Sequence, residues 1–283
     1  MQFKLTLRGL DEHPVLPINY QYELSAWIYK VIQHADADYA AFLHHHGHTS
    51  GRKNFKLFCF SQLNVPRRHS EGDRLHIDCR EVSFLIGFYL DRTAEEFVRG
   101  LFQQQEFRLG DRHSQVRFVV DLVEILPVSL PTDNRPVRIR LRSPLVVGRK
   151  KANGNDDYLH PDDPDFAPLF WENLLSKYRA ATGQETPSWW DVSRFRLQVV
   201  GQEPKSKLVT IKVDTPAQTK VKGYVFDFEV DAPRELVEVG ILAGFGRMNG
   251  EGFGFGEVVC LNKKATLQST VPNTRNPPQG VGL

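Results

Sequence analysis

The sequence predicts an α+β fold of two similar βαββαβ rounds in tandem, and three observations carry that reading. Apolar residues switch between the strand period of two and the helical period of 3.6 in the same order twice along the chain. A Pro-rich joint from Pro127 to Pro136 separates the two rounds. At roughly 100–200 residues per domain, 283 residues fit two units of common size.

In the first round, Gln2 to Arg8 alternates as a strand. Asn19 is positioned to cap a helix whose apolar stripe is Leu24, Trp27, Ile28 and Val31. A short helical stretch from Asp38 to His44 leads into a polar, His-rich loop. Lys56 to Phe60 reads as a buried strand and Leu75 to Phe84 as the next. Thr93 is positioned to cap a helix bearing Phe97, Leu101 and Phe102, with Glu96 in the capping-box position. Val116 to Ile125 closes the round as a strand.

The second round opens with a strand from Val137 to Val147 and an amphipathic helix from Phe166 to Ala181, ending near Gly183. Phe195 to Val200 and Leu208 to Val213 read as strands, with Tyr224 to Val230 continuing the second. Arg234 to Leu242 is a helix and Phe253 to Leu261 the last strand. Two ferredoxin-like (RRM-like) domains are therefore expected at 1–126 and 137–262, with a linker at 127–136. The tail 263–283, rich in Pro, Asn, Gln and Thr, is expected to be disordered.

Composition narrows the function classes. The chain is 41% hydrophobic and 25% charged, ordinary globular values that argue against wholesale disorder. No apolar run approaches the roughly 20 residues that span a bilayer, and the alternating N-terminus lacks the apolar block of a signal peptide, so a soluble cytoplasmic protein with no membrane partner is expected. Cys59, Cys79 and Cys260 lie far apart without C-x-x-C spacing, which indicates neither a disulfide framework nor a cysteine zinc site. With 36 basic residues against 34 acidic, an anionic partner has to be held by local segregation of charge.

Three segments carry candidate chemistry. Gly244 to Gly256 holds six glycines in thirteen residues, between a helix and a closing strand. Such density permits positive φ and close approach to backbone N–H groups, but the helix-to-strand context is the reverse of a dinucleotide site. Either a ligand approaches this backbone or the turn packs tightly on its own protein. The strand Val137 to Arg142 puts Arg138, Arg140 and Arg142 on one face, and Arg149, Lys150 and Lys151 extend the basic stretch. No acid occurs between Asp133 and Asp156, so repulsion within the row calls for an anionic partner such as phosphate.

The third segment is His44-His45-His46-Gly47-His48, followed by Arg52, Lys53 and Lys56. Histidine exchanges protons near neutral pH, and lysine is a compact cation suited to a phosphate gaining charge. A loop of tolerated surface histidines and a metal site are the competing readings. The metal site ranks low because no nearby Asp, Glu or Cys completes it. Tyr29 lies roughly 150° from the apolar stripe of its helix and is a candidate partner, with Tyr22 its rival on the same face.

These residues resemble the CRISPR-associated endoribonucleases that cut the repeat in precursor crRNA, the sixth Cas family of the RAMP superfamily. The resemblance rests on Gly-Phe-Gly-x-x-Asn-x-x-Gly-Phe-Gly at Gly244 to Gly254. Leu-Pro-Ile-Asn-Tyr (Leu16 to Tyr20), Ile28-Tyr29, Phe42 to His44, Lys56 to Ser61 and Ser-Pro-Leu-x-Val (Ser143 to Val147) support it in order. It spans roughly residues 1–262. The resemblance implies cleavage without metal or other cofactor. The ribose 2′-OH attacks the adjacent phosphate, giving a 2′,3′-cyclic phosphate and a 5′-OH.

The matching catalytic positions are Tyr29, His44 and Lys56, with His44 and Tyr29 sharing proton removal and delivery in an unassigned order and Lys56 offsetting phosphorane charge. The insertion-like stretch His45 to Asn54 keeps His45, His46, His48, Arg52 and Lys53 as rivals. Gly244, Gly246, Arg247, Asn249, Gly252 and Gly254 would hold repeat RNA together with the basic face. An effector complex and a second copy of the chain are further candidate partners. A non-catalytic RNA-binding subunit is the alternative reading.

Overall fold

The computed structural model describes residues 1–131, 135–152 and 154–259. In chain order the first half contains β1 (Gln2–Gly9), β2 (Val15–Pro17), α1 (Gln21–Ala35), α2 (Ala37–His45), β3 (His48–Ser50), β4 (Lys53–Phe55) and β5 (Phe58–Phe60). It continues with β6 (Arg68–Glu71), β7 (Arg74–Ile77), β8 (Glu81–Phe88), α3 (Asp91–Gln103), β9 (Glu106–Gly110) and β10 (Gln115–Leu126). The antiparallel sheet runs β5-β8-β1-β10-β9. Without the added edge strand β9, this is the ferredoxin-like order, with α1 and α3 as its two helices. Phe3, Leu5 and Leu7 of β1 meet Trp27, Ile28 and Val31 of α1 and Phe97 of α3 in one core, and Trp27 stacks on Phe107 at 4.1 Å.

The second half contains β11 (Val137–Leu141), β12 (Gly148–Lys150), β13 (Asp156–Tyr158), α4 (Phe166–Thr182), β14 (Arg196–Ile211), β15 (Thr219–Asp231), α5 (Arg234–Ala243) and β16 (Gly256–Val258). Its sheet runs β14-β15-β11-β16, again ferredoxin-like, with α4 and α5 packed through Phe170, Phe228 and Phe245. The two domains touch directly. The Cys59 thiol of β5 faces the carbonyls of Ile241 and Leu242 at the end of α5, at 3.7 and 3.6 Å.

Several expected boundaries shift, each for a local reason. Helix α1 starts at Gln21, with Tyr20 at the cap position and no side-chain cap, so Asn19 does not cap it. Thr93 lies inside α3 rather than at its cap, and its hydroxyl hydrogen-bonds the Tyr39 hydroxyl at 2.5 Å. The expected strand from Leu75 to Phe84 is two strands, β7 and β8, because β7 turns away to form a small sheet ordered β2-β7-β6. The run from Val137 to Val147 pairs as a continuous ladder only to Leu141, where Ser143 and Pro144 break it, and resumes as a single bridge between Leu145 and Tyr224. Phe195 to Val200 and Leu208 to Val213 belong to one long strand up to Ile211, irregular between Val200 and Lys205, and Tyr224 to Val230 belongs to its hairpin partner. The insertion His45 to Asn54 becomes the β3–β4 hairpin, tied to α4 by Lys53 and Glu172 at 2.6 Å.

The last strand is Gly256–Val258 rather than Phe253 to Leu261. The tail 263–283, and Cys260 and Leu261 before it, lie outside the described residues, as does part of the linker. Among the described residues, no helix is long and apolar enough to cross a membrane, and no group of three or more His, Cys, Asp or Glu side chains is arranged to hold a metal ion.

Candidate active site

A cleft of about 1240 Å³ lies between the domains, lined by Tyr29, His44 and Lys56 from the first and by Gly246 to Glu251 from the second. Tyr29 projects from the middle of α1, where its ring meets the His44 ring edge-on at 5.5 Å and the Phe58 ring at 5.6 Å. Burial, with Glu251 assisting, pushes the Tyr29 phenol well above the ordinary tyrosine range, so it stays protonated. His44 stands exposed in the last turn of α2. Partial burial and then the positive charges of His45, Lys56 and Lys212 lower its pKa, which favours neutral imidazole at neutral pH. Lys56 Nζ donates to the main-chain carbonyls of Leu43 and His44, the latter at 2.7 Å. Its ammonium thereby closes the carbonyl end of α2 that carries His44.

The rivals separate by position. His45 is exposed and packs edge-on against His44 at 4.8 Å. His46 caps α2 and is exposed. His48, in β3, meets the Phe42 ring and lines a different small groove with Tyr39 and Arg92. Arg52 is exposed in the β3–β4 turn and is not part of the cleft. Lys53 lines the cleft but is bound to Glu172. Tyr22 also lines it, half-buried against the small cluster around Phe253.

The glycine-rich loop reaches this cleft, but most of its glycines face protein. A Cβ at Gly252 would sit 2.9 Å from the Phe60 ring, and at Gly254 it would overlap the Phe245 carbonyl, while both carry positive φ. Gly244 lies as tightly against Asn249 and Cys59, and Gly246 against Val146. Asn249 is buried and donates to the carbonyls of Phe245 and Phe253 at 3.0 and 2.9 Å. These five positions shape the loop, as the reading of a turn packed tightly on its own protein expects. The Ser143–Val147 segment cradles the loop. Pro144 O accepts from Gly254 N at 2.8 Å, Val146 O from Arg247 N at 2.8 Å, and Ser143 Oγ from Phe255 N at 2.9 Å. Ser25 Oγ of α1 donates to Gly250 O at 2.6 Å and ties the loop to the first domain.

The basic row has acidic partners within the protein. Arg138 and Arg140 share Asp227 of the neighbouring strand at 3.6 and 3.1 Å, and Arg142 pairs with Glu257. Arg149 pairs with Asp157 and Asp165, Lys150 with Asp156, Lys151 with Asp157 and Arg247 with Asp156. No acid interrupts the row in sequence, yet antiparallel pairing supplies acids from β13, β15 and β16.

Three side chains escaped the sequence reading. Lys177 occupies an apolar position of α4 and is fully buried, donating to Gly244 O and Gly246 O at 2.5 and 2.7 Å. Its place in the register Phe166, Phe170, Leu174, Lys177 was the available signal. Glu251 lines the cleft with Oε2 buried and without a hydrogen-bond partner, and burial raises its pKa against the pull of Lys212 and Lys56. It stands at a variable position of the glycine motif, where spacing gives no signal. Lys212 enters the cleft from the β14–β15 turn, which only the tertiary fold brings there.

Two tandem ferredoxin-like domains, with a glycine-rich loop set into the cleft between them, define a protein of the RAMP fold. The chain belongs to the Cas6 family. A family model described as CRISPR-associated protein Cas6, N-terminal, matches residues 15–124, and CRISPR associated protein Cas6, C-terminal, matches 127–258. The chain is 26% identical over 258 residues to a Methanocaldococcus jannaschii protein named CRISPR-associated endoribonuclease Cas6 1, covering 90% of this chain and 91% of that one. It is 26% identical over 244 residues to the CRISPR-associated endoribonuclease Cas6 of Pyrococcus furiosus, covering 86% and 83%. A solved structure of a Cas6-related gene product from Pyrococcus furiosus shares the fold at a TM-score of 0.78 and 23% identity, covering 92% of this chain and 99% of that one.

Proposed function

We propose that the protein is an endoribonuclease that cuts CRISPR repeat RNA to produce crRNA, by metal-independent attack of a ribose 2′-OH on the adjacent phosphate. The observation that carries this reading is the meeting of the Tyr29 and His44 rings at 5.5 Å beside Lys56, in a cleft bordered by the glycine-rich loop. The named activity of the relatives supports it. In this reaction the 2′ oxygen bonds to phosphorus while the bond to the 5′ oxygen breaks. One proton leaves the 2′-OH and one reaches the departing 5′ oxygen, and no water or redox partner is consumed.

The lowered pKa of His44 suits the base, since neutral imidazole accepts the 2′ proton. The raised pKa of Tyr29 suits the acid, since an un-ionised phenol donates to an alkoxide leaving group. Lys56 holds the end of α2 and adds positive charge near the reacting phosphate. Proton transfer of this kind contributes typically about 10²–10⁴-fold.

Incubation with repeat RNA in EDTA tests the proposal, with a substrate carrying a 2′-deoxy residue at the cut site as control. Cleavage in EDTA, a 2′,3′-cyclic phosphate end and an inert deoxy substrate are expected. Cleavage of the deoxy substrate, or dependence on added metal, refutes the chemistry. Binding without product at any pH selects the non-catalytic RNA-binding subunit instead.

A further inference from the structure

We propose that Lys212 is a further catalytic residue of this cleft, the cation that meets the non-bridging oxygens of the scissile phosphate; the inference rests on the endoribonuclease reading above. Among the described residues, eight lysines and arginines line the cleft, and six spend donors on the protein. Lys53, Arg149, Lys150 and Arg247 are bound to carboxylates. Lys56 and Lys177 each donate to two main-chain carbonyls. That leaves Lys30 and Lys212. Lys30 is exposed on α1, whereas Lys212 is half-buried and close enough for its charge to act on both His44 and Glu251.

The backbone at Lys212 is built rather than incidental. Lys212 and Asp214 both adopt left-handed conformations, with φ of 54° and 58°. Non-glycine residues hold such conformations only where the surroundings over-determine them. Here the turn is closed by Thr215 Oγ1 donating to Lys212 O at 2.7 Å and by Gln218 N donating to Thr215 O at 3.0 Å. Asp214 N adds a bond to Gln218 Oε1 at 3.1 Å. The result fixes the point where Lys212 leaves the chain, on the wall that Thr215 and Ala217 also form.

Glu251 is the counter-charge acting on this lysine, yet its Oε2 has no hydrogen-bond partner. Lys212 is likewise in none of the ion pairs among the described residues, so its three donors stay open. An ammonium with unspent donors in a partly dehydrated cleft suits an anion that becomes more negative as the phosphorane forms.

The test is single-turnover cleavage of repeat RNA by the wild-type protein, Lys212→Ala and Lys212→Arg, with binding measured on the 2′-deoxy substrate. Wild-type cleavage should fall on the order of 10²-fold in Lys212→Ala, as for loss of one transition-state donor. Binding should stay within a few-fold, and Lys212→Arg should regain most of the rate. Lys212→Gln, similar in length and uncharged, serves the same comparison if the alanine variant melts early. An unchanged rate, or a loss mirrored equally in binding, overturns the assignment and leaves the endoribonuclease reading standing. A wild-type protein that does not cut overturns both.

Discussion

Lys56 Nζ donates a 2.7 Å hydrogen bond to the main-chain carbonyl of His44, so the proposed cation and the proposed base are joined through backbone. The lysine that follows the inserted β3–β4 hairpin thereby returns to the end of α2 and fixes the direction in which His44 leaves the helix. Lys56→Ala should remove both the charge and the anchor. We expect a loss of on the order of 1–3 kcal/mol in urea unfolding, the range for charge-assisted bonds to orphaned carbonyls. Cleavage should fall more steeply than that loss of folded protein accounts for. Unchanged unfolding would mean that the two bonds contribute nothing.

Substitution of His44 separates chemistry from binding. His44→Ala should abolish cleavage while leaving RNA binding within a few-fold, and His46→Ala should leave both intact, because His46 points outside the cleft. The pH dependence has a definite sign. Burial and neighbouring cations depress the His44 pKa below its ordinary 6.5, so the active neutral form persists as pH falls and is lost only below that value. The wild-type rate should be flat from pH 8.5 to about neutrality and fall on an acid limb with a midpoint below 6.5. A midpoint above it contradicts the assignment of His44 as base.

Salt dependence of RNA binding distinguishes two basic surfaces. Arg138 and Arg140 of β11 and Arg142 just after it each have a carboxylate partner on a neighbouring strand, whereas Lys207, Lys220 and Lys222 of the β14–β15 hairpin are exposed and in none of the ion pairs among the described residues. Phosphate neutralisation contributes roughly −0.7 per contact to the slope of log K against log salt on single strands. The triple alanine variant of these lysines should therefore flatten the slope more than the triple variant of Arg138, Arg140 and Arg142. The reverse order would show that the arginines exchange their protein partners for phosphate.

The same contrast marks how far the sequence could be read. Period and order exposed both domains, because each core is built from stripes local to one element, such as Leu24, Trp27, Ile28 and Val31. Tyr29, His44 and Lys56 were legible because the motifs around them are short and ordered, and the fold brings all three to one cleft. The intramolecular partners of the arginine face were hidden because Asp227 and Glu257 lie 87 and 115 positions away and meet it only through strand pairing. The packing of the glycine loop was hidden for a related reason. Spacing cannot tell a clearance filled by a ligand from one filled by Phe60 or the Phe245 carbonyl. Lys212 carries no local pattern at all, since a hairpin turn becomes part of a site only through where the hairpin points.

Asn249 offers a test of the loop as structure. Its amide donates to Phe245 O and Phe253 O across the turn, and both carbonyls lie in surroundings closed to water. Asn249→Ala leaves them unpaired, at a cost of about 2–3 kcal/mol for buried polar groups. Urea unfolding should report that loss. A variant as stable as the wild type would mean that the loop is held by Lys177, Ser25 and the Ser143–Val147 segment without help from Asn249.

Lys177 gives the sharpest stability signature. Burial pushes its ammonium from 10.5 down to about 7, so above neutrality the folded protein holds a neutral amine. That amine still has two N–H donors for Gly244 O and Gly246 O. An unfolded lysine keeps its proton to 10.5, so between about pH 7 and 10.5 unfolding takes up one proton and stability rises with pH. Below that window both states are charged and the contribution is flat. Cys59 acts in the opposite direction, because burial raises its thiol from 9.0 to about 12 and favours the folded state less as pH passes 9.0. Comparison with Lys177→Met removes the lysine contribution while Cys59 stays in place. The stability difference between wild type and Lys177→Met, measured by urea unfolding from pH 7.5 to 9.5, should grow in favour of the wild type by on the order of 1 kcal/mol per pH unit. Parallel curves across that range would show that Lys177 keeps its proton beneath the glycine loop, held by the two carbonyls strongly enough to offset its burial.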